Sequence, residues 1–171
     1  ASAAEVVGSL LWGLYAYRLD NLPAFVPPGH GLVYLAGLAL AQAARGHEAR
    51  LVQAAAAAVA AWGAVSLLAL PAADVTGAIG SCALLAVLAR TRRPVYAGVF
   101  FAVAALELYG TALGTWTWAA AVPGLGLPQA NPPSGVASGY VLFDVVALSV
   151  APRLAALARR RRPAAAAPAS A

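Results

Sequence analysis

The chain is a succession of long apolar runs separated by short clusters of arginine, proline and glycine. The first run covers residues 3–17 and ends before Arg18 and Asp20. The second follows Pro27 and Pro28 and reaches Ala44, just before Arg45. The third covers residues 51–70, offers only Gln53 and Ser66 as polar breaks, and stops at Pro71. The fourth covers residues 72–89 and stops at the cluster of Arg90, Arg92 and Arg93. The fifth opens at Pro94, a residue suited to the first turn of a helix, and continues to Leu113. The sixth opens at Ser134, a good N-cap after Pro132 and Pro133, and closes near Pro152. Apolar runs of roughly 17–25 residues cross the hydrocarbon of a bilayer as helices, and the first two runs are the shortest. None alternates as the strand of a lipid-facing barrel does. None carries the charged outer face that a helix of a soluble bundle presents to water. The pattern predicts an all-α, polytopic integral membrane bundle of about six transmembrane helices and no strands.

Composition sharpens this reading. Of 171 residues, 62% are hydrophobic and only 10% charged. An ordinary soluble domain is about 45–50% apolar and about 25% charged, so a conventional soluble domain is excluded. All eleven basic residues are arginines. The resulting pI of about 10.0 would suggest a nucleic-acid partner in a soluble protein. Here the arginines flank apolar runs, so they set topology, and no nucleic acid is expected. If the runs alternate across the membrane, ten arginines fall on one side and Arg18 alone on the other. That excess marks the cytoplasmic side and predicts a multi-pass protein of the cell (cytoplasmic) membrane, N-in and C-in. Residues 1–152 would form the bundle. Residues 153–171, basic and rich in Ala and Pro, read as a disordered cytoplasmic tail. Its arginines from Arg159 to Arg162 act either as a stop-transfer anchor or by attraction to anionic membrane lipids. No secretory signal peptide is expected, because the first run lacks a basic region before it and a cleavage site after it.

The polar residues left inside the runs are few. Glu107 lies seven residues before Gly114 and so about 10 Å below the outer end of its helix; Asp144 lies ten after Ser134 and about 15 Å below. A charge at mid-membrane costs about 2.5–3.5 kcal/mol on insertion scales, so such groups face a bundle interior and find partners. Because the fifth and sixth helices are antiparallel neighbours, the two carboxyls are expected to approach each other and share a proton as an acid/base pair. The alternative is that each hydrogen-bonds across helices as packing glue. Trp116 and Trp118 fall at the outer interface, either as an aromatic belt or as walls of a pocket mouth. Tyr109, His30, Asp74 and Asn131 are the remaining candidates around that pocket. Asp74 also suits a helix N-terminus, and His30 an interfacial cap. Glu5 lies in the cytoplasmic half of the first run. Gly110 with Gly114, and Gly135 with Gly139, make faces for close helix contact, within the chain or with a partner or second copy. No convincing internal repeat is seen. The loop of residues 114–133 is too apolar for a solvated linker and is expected to fold onto the membrane surface or over the bundle. Cys82, the single cysteine, permits no internal disulfide. His30 and His47 fall on opposite sides, so no zinc site is expected; no cofactor-binding or nucleotide-binding motif is present.

The segment Glu107, Leu108, Gly110, Thr111 and Gly114, followed by Trp116 and Trp118, resembles part of the bacterial carotenoid-biosynthesis membrane proteins that hydrate acyclic carotenoid ends. The resemblance covers about a dozen residues. It implies an isoprenoid or lipid substrate, with Glu107 as proton donor to an alkene. The expected function is therefore binding or modifying a lipid- or isoprenoid-like molecule in an outward-facing polar pocket. Two alternatives stay open: a structural or accessory membrane subunit, and a small proton-coupled transporter using Glu107 and Asp144. Whether the protein is an enzyme is left open by the sequence.

Overall fold

A computed structural model of the chain describes residues 2–160. Its elements are α1 (Ser2–Glu5), continuing as a π-helix (Val6–Leu11), then β1 (Tyr15–Tyr17), α2 (Val26–Ala43), α3 (Glu48–Leu68), α4 (Val75–Thr91), α5 (Pro94–Ala112), β2 (Trp116–Trp118) and α6 (Ala137–Arg160). The protein is mostly helical. Among the described residues, three helices are long and apolar enough to cross a membrane: α3, α5 and the Ala137–Leu154 part of α6.

The helix ends follow local chemistry. Pro27 and Pro28 open α2 and Pro94 opens α5, where a missing N–H costs nothing. At the start of α4, the Asp74 carboxylate accepts from the Gly77 N–H at 3.0 Å, so Asp74 is its N-cap. α5 stops because Gly114 takes a left-handed conformation at φ +64°.

α5 is the central helix and packs on α2, α3 and α6; α4 packs on α3 and α6. Its face of Tyr96, Ala97, Val99, Phe100 and Val103 joins Val59, Leu84, Leu88 and Val141 in the core. The closest crossing is with α2, where a side chain on Gly98 would run into the Gly37 backbone. The outward sides of the helices carry exposed Leu and Val, such as Leu35, Val65, Leu68 and Val146. Large apolar side chains in the open are what a lipid-facing surface presents.

Three expectations change. The first run is not a span: α1 and the π-helix together make ten residues, about half of what the hydrocarbon needs. It then turns into β1, which pairs antiparallel with β2 in the register Tyr15–Trp118, Ala16–Thr117 and Tyr17–Trp116. Strands therefore exist among the described residues, as a two-stranded ribbon: Arg18 N donates to Thr115 O and Ala119 N to Leu14 O, which leaves the aromatic pairs at the non-hydrogen-bonded positions, where facing side chains lie closest. Finally, α6 begins at Ala137 rather than Ser134 and runs through Pro152 to Arg160. Proline is tolerated in such helices when other groups satisfy the freed carbonyl. The first residues assigned to the tail therefore belong to α6, while residues 161–171 lie outside the described residues.

The loop after β2 folds back over the bundle. Ala121 and Pro128 form a β-bridge, Val122 and Gln129 are buried, and the Gln129 side chain donates to the Leu14 carbonyl at 3.1 Å. Asp74 fastens this loop to α4. It is fully buried and accepts from the Ala130 N–H at 2.9 Å and the Ser134 N–H at 2.7 Å.

Candidate functional site

Beneath the β1–β2 ribbon lies an open-sided cavity of about 620 Å³, lined by α1, the π-helix, α2, α5, α6 and the two strands. Its wall is mainly apolar, including Val33, Ala36, Ala102, Leu106 and Phe143. Its polar groups are Glu5, His30, Glu107, Tyr15, Tyr17, Tyr140, Trp116 and Trp118. Several wall residues, among them Phe25, Leu32, Leu106 and Phe143, are also exposed. The cavity thus borders the same apolar exterior that the long helices present.

Two carboxylates organise the polar part. Glu107 is buried, and its Oε2 accepts the indole N–H groups of Trp116 at 2.9 Å and Trp118 at 3.1 Å. Its Oε1 makes no hydrogen bond among the described residues. Glu5 is likewise buried; its Oε2 accepts the hydroxyls of Tyr15 at 2.6 Å and Tyr17 at 2.9 Å, and its Oε1 meets His30 Nε2 at 2.7 Å. Burial opposes the charge on Glu5, but the hydrogen bonds from His30, Tyr15 and Tyr17 outweigh it and hold the carboxyl below its ordinary value. Burial, and then the same carboxylate, push both phenols up, so they stay donors. The His30 ring stacks on Tyr140, with centroids 4.6 Å apart and planes 17° apart.

The two carboxylate units are copies of one pattern. Glu5, Gly8, Ser9 and Leu11 repeat the spacing of Glu107, Gly110, Thr111 and Leu113; Gly13, Tyr15 and Tyr17 repeat Gly114, Trp116 and Trp118. The first copy has one additional residue, Trp12, between these halves. The π-helix, wound wider than an α-helix, is where a single inserted residue is absorbed. Backbone bonds recur in pairs. Leu14 N donates to Gly8 O as Thr115 N does to Gly110 O, and Arg18 N donates to Thr115 O as Ala119 N does to Leu14 O. Gly13 and Gly114 both have positive φ, which a residue with a side chain rarely adopts. Gly8 and Gly110 each leave room for the first aromatic ring of their own copy, Tyr15 and Trp116. A local two-fold axis therefore passes between Ala16 and Thr117.

Of the residues predicted from sequence, Glu107, Trp116, Trp118 and His30 line this cavity. Asp144 does not. It is half-buried on α6, is absent from the cavity wall, and hydrogen-bonds neither Glu107 nor any other described residue, so the expected pair with Glu107 is not formed. Tyr109 is 68% exposed and faces away. Asp74 and Asn131 act on the loop instead: Asn131 Oδ1 accepts the Trp118 N–H at 3.0 Å and so fastens β2. Gly110 lies under Trp116, Gly114 ends α5, Gly135 packs on the α4 backbone at Gly77 and Gly80, and Gly139 lines the cavity with open space before it.

Sequence reasoning missed Glu5, Tyr15, Tyr17 and Tyr140. The signal for the first three was the repeat itself, hidden from a fixed-offset comparison by Trp12. Fold and site thus define a mostly helical protein with helices of membrane-spanning length and a cavity walled by aromatic side chains around two carboxylates. Set against models of known families, characterised proteins and solved structures, the chain matches none of them.

Proposed function

We propose that this is a multi-pass protein of the cytoplasmic membrane that binds, and by proton transfer modifies, a lipid- or isoprenoid-like molecule in the cavity under the ribbon. One observation carries the reading: an aromatic-walled cavity, bordered by exposed apolar side chains, holds a buried carboxyl with one oxygen, Glu107 Oε1, that has no partner among the described residues. A carboxylic acid that carries its proton can donate it to an alkene. The faces of Trp116 and Trp118 stabilise positive charge developing beside it. The resemblance of residues 107–118 to bacterial carotenoid hydratases supports the same ligand class.

In this reading α2 to α6 are the crossing helices. The loops holding Arg45 with Arg50 and Arg90 with Arg92 and Arg93 face the cytoplasm, and the ribbon and cavity face outward. Because β1 pairs with β2, the segment from α1 to β1 shares the outward side, in place of the inward N-terminal segment expected from six crossings. Extraction of the purified protein followed by mass spectrometry is expected to yield a bound isoprenoid or lipid. A Glu107→Gln variant should insert normally and retain the ligand but lose turnover; full turnover in that variant ends the enzymatic reading.

A second reading, proton-coupled transport, is favoured by the internal duplication of the carboxylate unit. Transporters are commonly built from repeats that meet at a central site. It predicts proton-dependent flux in proteoliposomes that Glu107→Gln abolishes.

A further inference from the structure

The His30–Glu5 arm of the cavity has no part in the reading above, and its geometry is that of an oriented base. Glu5 Oε1 holds one ring nitrogen, Nε2, at 2.7 Å, while Glu5 itself is pinned by the hydroxyls of Tyr15 and Tyr17. A carboxylate that fixes one imidazole nitrogen as an N–H donor leaves the other as the acceptor, and it stabilises the imidazolium formed when a proton arrives. Nδ1 makes no hydrogen bond among the described residues, and His30 lines the cavity together with Glu107. The face of Tyr140, stacked with its centroid 4.6 Å away, limits ring rotation. The local two-fold places the two carboxylates equivalently but gives them different partners: among the described residues Glu107 has two indoles, whereas Glu5 has a histidine.

We propose that His30, oriented by Glu5, is the proton acceptor of the cavity, opposed to Glu107 as donor, and that the ligand is an isoprenoid alkene rearranged without net addition. This rests on the reading of Glu107 as an acid. In the step, the Glu107 O–H bond breaks and its proton bonds to one alkene carbon, leaving a carbocation at the other. A C–H bond adjacent to that cation then breaks; its proton goes to His30 Nδ1, and its electron pair forms a new C=C bond. Substrate and product are isomers, by double-bond migration, and no co-reactant is consumed. Proton return from His30 to Glu107 through solvent resets the site. His30 is then a catalytic residue and Glu5 a positioning residue. The titratable groups facing His30 are Glu5, Tyr15, Tyr17, Tyr140 and Glu107, with Asp144 farther along α6.

The test uses the full chain in phospholipid nanodiscs with lycopene as probe, in D2O, with binding read from tryptophan quenching. The wild type is expected to bind and to release a deuterium-bearing product that is otherwise isomeric with the probe. His30→Gln should bind within about threefold of wild type, which shows that it is folded, yet turn over at least a hundredfold more slowly, the usual scale of a lost acid–base group. Glu5→Gln should lower turnover less and move the basic-group limb of the pH profile, which a merely structural role would leave in place. Turnover by His30→Gln close to wild type overturns the proposal while leaving Glu107 intact. A product heavier by one water also overturns it, because the base would then be acting on water. No binding by the wild type overturns the parent reading, and this one with it.

Discussion

Tyr15 lies directly across the ribbon from Trp118, their rings 4.7 Å apart, yet the Tyr15 hydroxyl serves Glu5 and the Trp118 indole serves Glu107. The two carboxylate units are therefore joined through packed rings whose polar ends point to different acids. Tyr15→Phe and Trp118→Phe should each lower stability by about 1–3 kcal/mol, the scale of a hydrogen bond to a charged or buried group. The double variant should depart from additivity by about 0.5 kcal/mol or more, as contacting residues do. Thermal unfolding of the four proteins in one detergent measures the coupling.

Asp74 was a candidate for the pocket, but it holds the roof of the molecule to α4. Its carboxylate collects three backbone N–H groups, from Gly77, Ala130 and Ser134, in a fully buried place. Asp74→Ala should cost about 3 kcal/mol or more, since three buried donors lose their acceptor together. Asp74→Asn keeps an acceptor oxygen and should cost less. Limited proteolysis is expected to cut the Asp74→Ala variant first within residues 119–135.

The long central helices were legible in the sequence because continuous apolar runs, bounded by Pro94 or by arginines, leave few alternatives. α5 was expected over residues 94–113 and occupies Pro94–Ala112. Its Glu107, Trp116 and Trp118 meet at one site. Asp144 shows the limit of this kind of reasoning. Counting residues from a helix end fixes depth at about 1.5 Å per residue, but each residue also turns about 100° around the axis. Two carboxyls at similar depth can therefore look in different directions, as Glu107 and Asp144 do. Glu5 was expected in the opposite half of the bundle from Glu107, yet the two share one cavity: an apolar run of fifteen residues reads as a crossing, whereas the glycine at position 13 turns it back into a strand.

The contact between α2 and α5 depends on two small residues. A side chain on Gly98 would collide with the Gly37 backbone, and one on Gly37 with Val99. Backbone on an opposing helix cannot step aside as a flexible side chain can, so overpacking here costs about 1–3 kcal/mol or more. Gly98→Val should lower the unfolding temperature and, by spreading α2 from α5, weaken ligand quenching of tryptophan fluorescence. Gly31→Ala, which meets open space and lies off the cavity wall, is the matched control and should leave stability within about 0.5 kcal/mol.

The proposed topology makes a sided prediction. In a Cys82→Ala background, Asn21→Cys and Leu125→Cys should react with a membrane-impermeant maleimide in intact cells. His47→Cys and Thr91→Cys should react only after permeabilisation. All four positions are exposed in the fold, so a failure to label reports sidedness rather than burial. Labelling of Asn21→Cys and His47→Cys on the same side would remove the five-crossing arrangement.

Glu5 gives a pH dependence whose sign follows from its partners. Its carboxyl is held below the ordinary value of 4.5 once His30, Tyr15 and Tyr17 have outweighed the opposing effect of burial. A group with a depressed folded pKa contributes stability that is present above the unfolded value and is lost as pH falls through the folded one. The segment carrying α1, the π-helix and β1 should therefore be docked at neutral pH and should loosen only in acid, below about 4.5. Hydrogen-exchange protection of the amides from Ser9 to Tyr17, compared at pH 7 and at successively lower pH, reads this directly. Glu5→Gln should give weaker protection at neutral pH and remove the acid-dependent part of the change, because the charge that His30 and the two phenols stabilise is gone. Protection that falls equally in both proteins would mean that another group governs the docking of this segment.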